Sequence, residues 1–83
     1  MAKTEGLEVK MTFRNAGDFR ESAGGAVCTN LAILVAGDLE FEFKNRLYRL
    51  STAGDYLLWK PNLPHITRAL KDSNLVTVRW PGN

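Results

Sequence analysis

The segment Leu39-Glu40-Phe41-Glu42-Phe43 alternates apolar and charged residues with period two, and two residues later Arg46-Leu47-Tyr48-Arg49-Leu50 continues in a matching register. Successive side chains on a strand point to opposite faces, so this spacing predicts a β-hairpin turned at Lys44-Asn45. The register sets Phe41 opposite Tyr48, Leu39 opposite Leu50 and Glu40 opposite Arg49, each pair contributing about 0.2–1 kcal/mol. A slip of one residue loses all three pairs. Asparagine tolerates the positive φ of a tight two-residue turn, which suits Asn45 to that place.

The rest of the chain reads as further short strands between turn signals. Leu7-Glu8-Val9-Lys10-Met11-Thr12-Phe13 alternates cleanly and predicts a half-buried strand with Leu7, Val9, Met11 and Phe13 on one face. Val27 to Val35 predicts a longer strand whose end, Leu31-Ala32-Ile33-Leu34-Val35, is apolar enough to be buried on both faces. Ala36-Gly37-Asp38 and Ala53-Gly54-Asp55 are turn signals. Tyr56 to Trp59 is a strand that Pro61 ends, and Leu75 to Trp80 is the last strand. Two stretches stay open on pattern alone. Arg14 to Ala26 is interrupted by Gly17, Gly24 and Gly25, and its Asp18 to Glu21 fits either a helical turn or an edge strand. Pro64 to Asp72 fits a helix opened by Pro64, or a strand through Ile66, Arg68 and Leu70.

With 83 residues the chain has room for one domain, assigned to residues 1–83. A chain this short buries only about 60–65% of its unfolded surface, so its core is marginal without a supplement. Cys28 is the sole cysteine, which excludes an intrachain disulfide and a thiolate zinc site. Self-association is the remaining supplement, and a homodimer is expected. The start has no apolar signal-like segment and no run approaches 18 apolar residues, so a soluble, cytoplasmic protein with no membrane partner is expected. Eleven basic against nine acidic residues, scattered along the chain, give +2 and no nucleic-acid footprint. No Ser-His-Asp set, phosphate loop or metal motif is present.

Residues 33–80 carry an ordered set of short motifs: Leu34-Val35-Ala36-Gly37-Asp38-Leu39-Glu40-Phe41, then Tyr48-Arg49-Leu50, Ala53-Gly54-Asp55 and Pro61-Asn62-Leu63-Pro64-His65. Ala69-Leu70-Lys71-Asp72-Ser73 and Leu75-Val76-Thr77-Val78-Arg79-Trp80-Pro81 complete it. In order and spacing this resembles the second half of a small single-domain cupin. The resemblance implies an all-β fold, a small antiparallel cupin or jelly-roll-like β-barrel, usually dimeric, with a pocket in its mouth. It decides for a strand after Pro64.

Metal-binding members of the family use two histidines and a carboxylate on one strand and a third histidine on a later one. Here the resemblance puts the carboxylate position at Asn30 and the two histidines within Ala23-Gly24-Gly25-Ala26, so only His65 matches. One imidazole is too few ligands for a first-row metal, and no metal or other cofactor is expected, with Cys28, Asn30 and His65 the one conceivable non-standard set. The candidate ligand-binding residues are His65, Asn30, Tyr48 and Trp59. Trp59 and Trp80 also suit a core or dimer interface, Arg68 and Arg79 a solvated strand face, and Asp38 and Asp55 simple turns. Three function classes follow. The leading one is a metal-independent binder of a small polar or sugar-like molecule in the barrel mouth. The others are a metal-dependent cupin enzyme of isomerase, lyase or dioxygenase type, and a dimeric interaction protein without ligand.

Overall fold

The computed structural model describes residues 2–4, 6–22 and 28–81. They form β1 (Ala2–Thr4), β2 (Leu7–Arg14), β3 (Phe19–Ser22), β4 (Cys28–Ala36), β5 (Leu39–Phe43), β6 (Arg46–Leu50), β7 (Tyr56–Trp59), β8 (His65–Ala69) and β9 (Ser73–Pro81). Every pairing is antiparallel, in a five-stranded sheet of order β1-β2-β9-β4-β7 and a four-stranded sheet of order β3-β8-β5-β6. Among the described residues there is no helix, hence none long and apolar enough to cross a membrane. Both open stretches contain strands: β3 pairs with β8, setting Arg20 against Thr67 and Ser22 against His65.

The β5–β6 hairpin has the expected register, with Leu39 opposite Leu50, Glu40 opposite Arg49 and Phe41 opposite Tyr48. Its turn is different. Among the described non-glycine residues only Asn62 has a positive φ, so Lys44-Asn45 turns without the left-handed backbone expected of Asn45. The core unites both sheets: Ala32, Leu34 and Leu75 from the five-stranded sheet meet Leu39, Phe41, Leu50 and Ala69 from the four-stranded one. These seven buried apolar residues, counted among the described ones, make a small core, in line with the surface-to-volume penalty of a short chain.

The connection from β4 to β5 is tied to the start of β9. Gly37 has φ +115°, and its backbone lies so close to Ser73 that a Cβ there would sit 2.5 Å from the Ser73 Cα. Only glycine combines that dihedral with that approach. The buried Ser73 hydroxyl accepts from the Asp38 N–H at 3.0 Å and donates to the Lys71 carbonyl at 2.8 Å. Asp38 is therefore more than a turn residue: its carboxylate takes a bidentate pair from Arg49 at 2.6 and 2.9 Å. That charge-assisted pair holds the Asp38 carboxyl below the usual range, chiefly through the hydrogen bonds and secondarily through the guanidinium charge.

Two expectations about facing are corrected. On β2 the side chains turned toward the sheet interior are Glu8, Lys10, Thr12 and Arg14, while Leu7, Met11 and Phe13 on the other face are 38%, 59% and 56% exposed. On β4, Ala32 and Leu34 are buried but Leu31 and Ile33 are only half-buried and Val35 is exposed, so the strand is covered on one face, not two. The reason is common to both strands. The interior beside β2 is a polar cavity, and the outer face of the five-stranded sheet is apolar.

Candidate functional site

The cavity follows from how the strands distribute their inward residues. Toward β6 and β7 these are Leu50, Leu57 and Phe41, which pack; toward β2 and β3 they are charged or hydroxylated, and there the two sheets enclose an open cavity of about 310 Å³. Register orders its walls. Glu8, Arg79, Asn30 and Trp59 lie side by side across β2, β9, β4 and β7. One step deeper come Lys10, Thr77 and Ala32, and beyond them Thr12 and Leu75. On the facing sheet Ser22 stands beside His65, and Arg20 beside Thr67, which is followed by Phe41.

One wall is aromatic. The His65 ring lies 5.1 Å from Trp59 and 5.3 Å from Phe43 between centroids, and Phe41 is 5.7 Å from Trp59. These separations fall in the range of tilted and edge-on aromatic pairs, each worth about 0.5–1.5 kcal/mol beyond area burial. His65 Nδ1 sits 3.2 Å from the Leu63 carbonyl, which can only accept, so that nitrogen carries the proton and Nε2 is left as the ring's acceptor in the neutral form. Asn62, two residues before Pro64, takes φ +66°, so the approach to His65 is made by a left-handed asparagine followed by a proline. The Asn30 side chain donates through Nδ2 to the Cys28 carbonyl at 3.1 Å, which leaves its amide oxygen as an acceptor.

The opposite wall is cationic. Arg79 lies 3.8 Å from Glu8, whereas Lys10, Arg14 and Arg20 have no carboxylate within ion-pair distance among the described residues. Partial burial and the charge of Arg20 both depress the proton affinity of Arg14, which Asp18 partly restores.

The structure thus brings His65, Asn30 and Trp59 to one cavity. Tyr48 is not there. It packs edge-on against Phe43 at 6.0 Å and borders a separate shallow depression with Gly54 to Leu57, because Phe41 on the neighbouring strand occupies the wall position. Arg79 reaches the cavity, while Arg68 faces outward, 2.8 Å from Glu42 and over the Phe19 ring. Trp80, opposite Thr29, belongs to the outer face. Glu8, Lys10, Thr12, Arg14 and Arg20 are lining residues that pattern reading missed. For the four on β2 the signal is the run of polar residues at alternate positions, which is also what a solvated face looks like, and Arg20 on the short β3 carries no such pattern.

Metal-ligand chemistry does not fit these residues. Among the described residues no group of three His, Cys, Asp or Glu side chains comes together. Asn30 supplies an amide whose nitrogen is already committed to Cys28, and a neutral amide with one imidazole is not the donor set of a first-row metal. Ala23 to Ala26, to which the resemblance assigned the missing histidines, lie outside the described residues.

Two facing antiparallel sheets around a side-chain-lined cavity define the class, a small antiparallel β-barrel. Solved structures identify it further as the cupin fold. The chain superimposes on KdgF from Halomonas sp. with a TM-score of 0.85 at 23% identity, covering 99% of this chain and 76% of that one. The Cupin_2 domain of an XRE-family transcriptional regulator from Enterobacter cloacae gives 0.81 at 13%, covering 95% and 85%. An RmlC-like cupin from Desulfovibrio desulfuricans gives 0.80 at 17%, covering 98% and 77%. No protein-family model and no curated protein matches the sequence.

Proposed function

We propose that this small cupin is a metal-independent binding module that holds a small polar organic molecule in the cavity beside His65. The observation that carries the reading is the asymmetry of the cavity, with aromatic rings at Trp59, Phe41 and His65 on one side and hydroxyl and charged groups on the other. Its volume of about 310 Å³ lies at the lower end of the range typical of ligand sites, which suits a molecule of sugar size. Ring faces would cover the C–H surface of such a ligand, while Asn30, Thr67, Thr77 and His65 Nε2 would satisfy its polar atoms. The test is a thermal-shift screen of small sugars and carboxylates, followed by calorimetry on Trp59→Ala, His65→Ala and Asn30→Ala. A ligand whose affinity none of the three alters by more than about twofold, roughly 0.4 kcal/mol, lies elsewhere.

A second proposal concerns assembly. The outer face of the five-stranded sheet carries Met11, Phe13, Leu31, Ile33, Tyr56, Leu58, Val76 and Val78, side by side by register. Met11, Phe13, Tyr56 and Leu58 are each more than half exposed. Four strands about 4.8 Å apart and about seven residues long span roughly 20 by 24 Å, a flat area of about 480 Å² that supplies somewhat more than half of the ~800 Å² each partner gives a standard interface. We propose that a second copy of the chain covers this face, since a flat apolar sheet is complementary to itself about a two-fold axis.

A further inference from the structure

Among the described residues three cavity cations, Lys10, Arg14 and Arg20, have no carboxylate within ion-pair distance, and the Arg14 guanidinium donates to the Phe13 carbonyl at 3.4 Å. Lys10 and Arg14 project inward from β2 and Arg20 from β3, the two strands that border the open side of the cavity. The carboxylates nearby are committed or at the rim. Glu8 is 3.8 Å from Arg79, Asp18 accepts the Asn15 N–H at 3.0 Å, and Glu21 is exposed at the cavity edge. Thr12, Thr67 and Thr77 also line the cavity and add hydroxyl groups without negative charge, the Thr77 hydroxyl donating to the Lys10 carbonyl at 3.3 Å. Collecting like charges around a concave surface is unfavourable in the empty protein, and a bound anion relieves it.

Resting on the proposed binding role of this cavity, we infer that its ligand is an anion, whose carboxylate or phosphate group is received by Lys10, Arg14 and Arg20. Guanidinium groups suit both anions because their paired N–H donors match two oxygens at once. The ligand then lies with its charged end toward β2 and β3 and its uncharged end against Trp59 and His65. The proton affinity of Arg14, lowered first by partial burial and then by the charge of Arg20, agrees with a cavity that gathers positive charge.

The test uses tartrate and inorganic phosphate as anionic probes and erythritol as the neutral counterpart of tartrate, at matched ionic strength. Binding is followed through backbone amide chemical shifts of the full chain. Tartrate and phosphate are expected to produce saturable shifts on β2, β3 and β8, and Arg20→Gln and Lys10→Gln to weaken them about tenfold each. Both side chains are exposed, so the variants keep the parent spectrum, which serves as the check on folding. Equal affinity for tartrate and erythritol, or anion midpoints unchanged within about twofold in both variants, overturns the inference and leaves the binding role of the cavity standing. Absence of any anion response overturns it as well. The response of the Trp59 indole to erythritol then decides the broader reading separately.

Discussion

Gly37 shows how a single residue constrains this fold. Its φ of +115° and its approach to Ser73 leave no space for a methyl group, and the atoms in the way are the Oγ, Cα and Cβ of Ser73. Gly37→Ala is expected to cost about 3 kcal/mol or more, the dihedral strain alone accounting for about 1–3 kcal/mol. Urea denaturation of the two proteins measures it. Next to it, the Asp38–Arg49 pair gives a pH signature. A carboxyl held below its ordinary value in the folded chain stabilises the fold above the unfolded pKa, about 3.9, and that contribution fades as the pH falls through the folded value. The parent is therefore expected to exceed Asp38→Asn in stability at pH 7, with the gap narrowing below about pH 4. A gap that stays constant between pH 7 and pH 3 would show that the charge of Asp38 contributes nothing.

At the scale of the element, the β5–β6 hairpin and β2 make a contrast. Cross-strand pairing in the hairpin is dictated by its own residues: Leu39, Phe41 and Leu50 must share a face, and only one register lets them. The turn conformation was not dictated, because Lys44-Asn45 closes the hairpin without a positive φ. Asn45→Gly is accordingly expected to lower stability by about 0.4–1 kcal/mol through unfolded-state entropy. A gain in melting temperature would instead reveal a left-handed residue at that position. β2 has as clean an alternation as β5, and yet its apolar face looks out. Period two says which residues share a face and nothing about which face meets the interior. Partner strands decide that. β9 brings Thr77 and Arg79 to the same side as Lys10 and Glu8, and β4 brings Asn30, so the polar face of β2 closes a polar cavity.

For the whole molecule, the apolar outer face and the small core are two consequences of one shortage. The seven buried apolar residues among those described are few for a chain of 83, and several of the apolar side chains that would have enlarged the core stand on the exterior of the five-stranded sheet. The proposed second copy, by covering them, would supply burial that the isolated chain lacks. Sedimentation at micromolar concentration is expected to return twice the chain mass, and Met11→Glu with Leu58→Glu to return the chain mass with a lower melting temperature. A doubly substituted protein that keeps the mass and stability of the parent would place the contact on another surface.

Local pattern determined the all-β class, the hairpin register, the turns at Gly37 and Gly54, and the closeness of His65 to a proline-stiffened turn, because each rests on contacts or dihedrals within a few residues. Resemblance then selected the barrel and a strand after Pro64. Only the tertiary structure decided that Trp59 and Asn30 join His65 while Tyr48 does not, since that depends on Phe41 lying between strands distant in sequence. It alone decided that Lys10, Arg14 and Arg20 line a cavity and that Met11 and Phe13 do not. An alternating strand is the same sequence whichever way it faces, and the direction is fixed by the sheet that it joins.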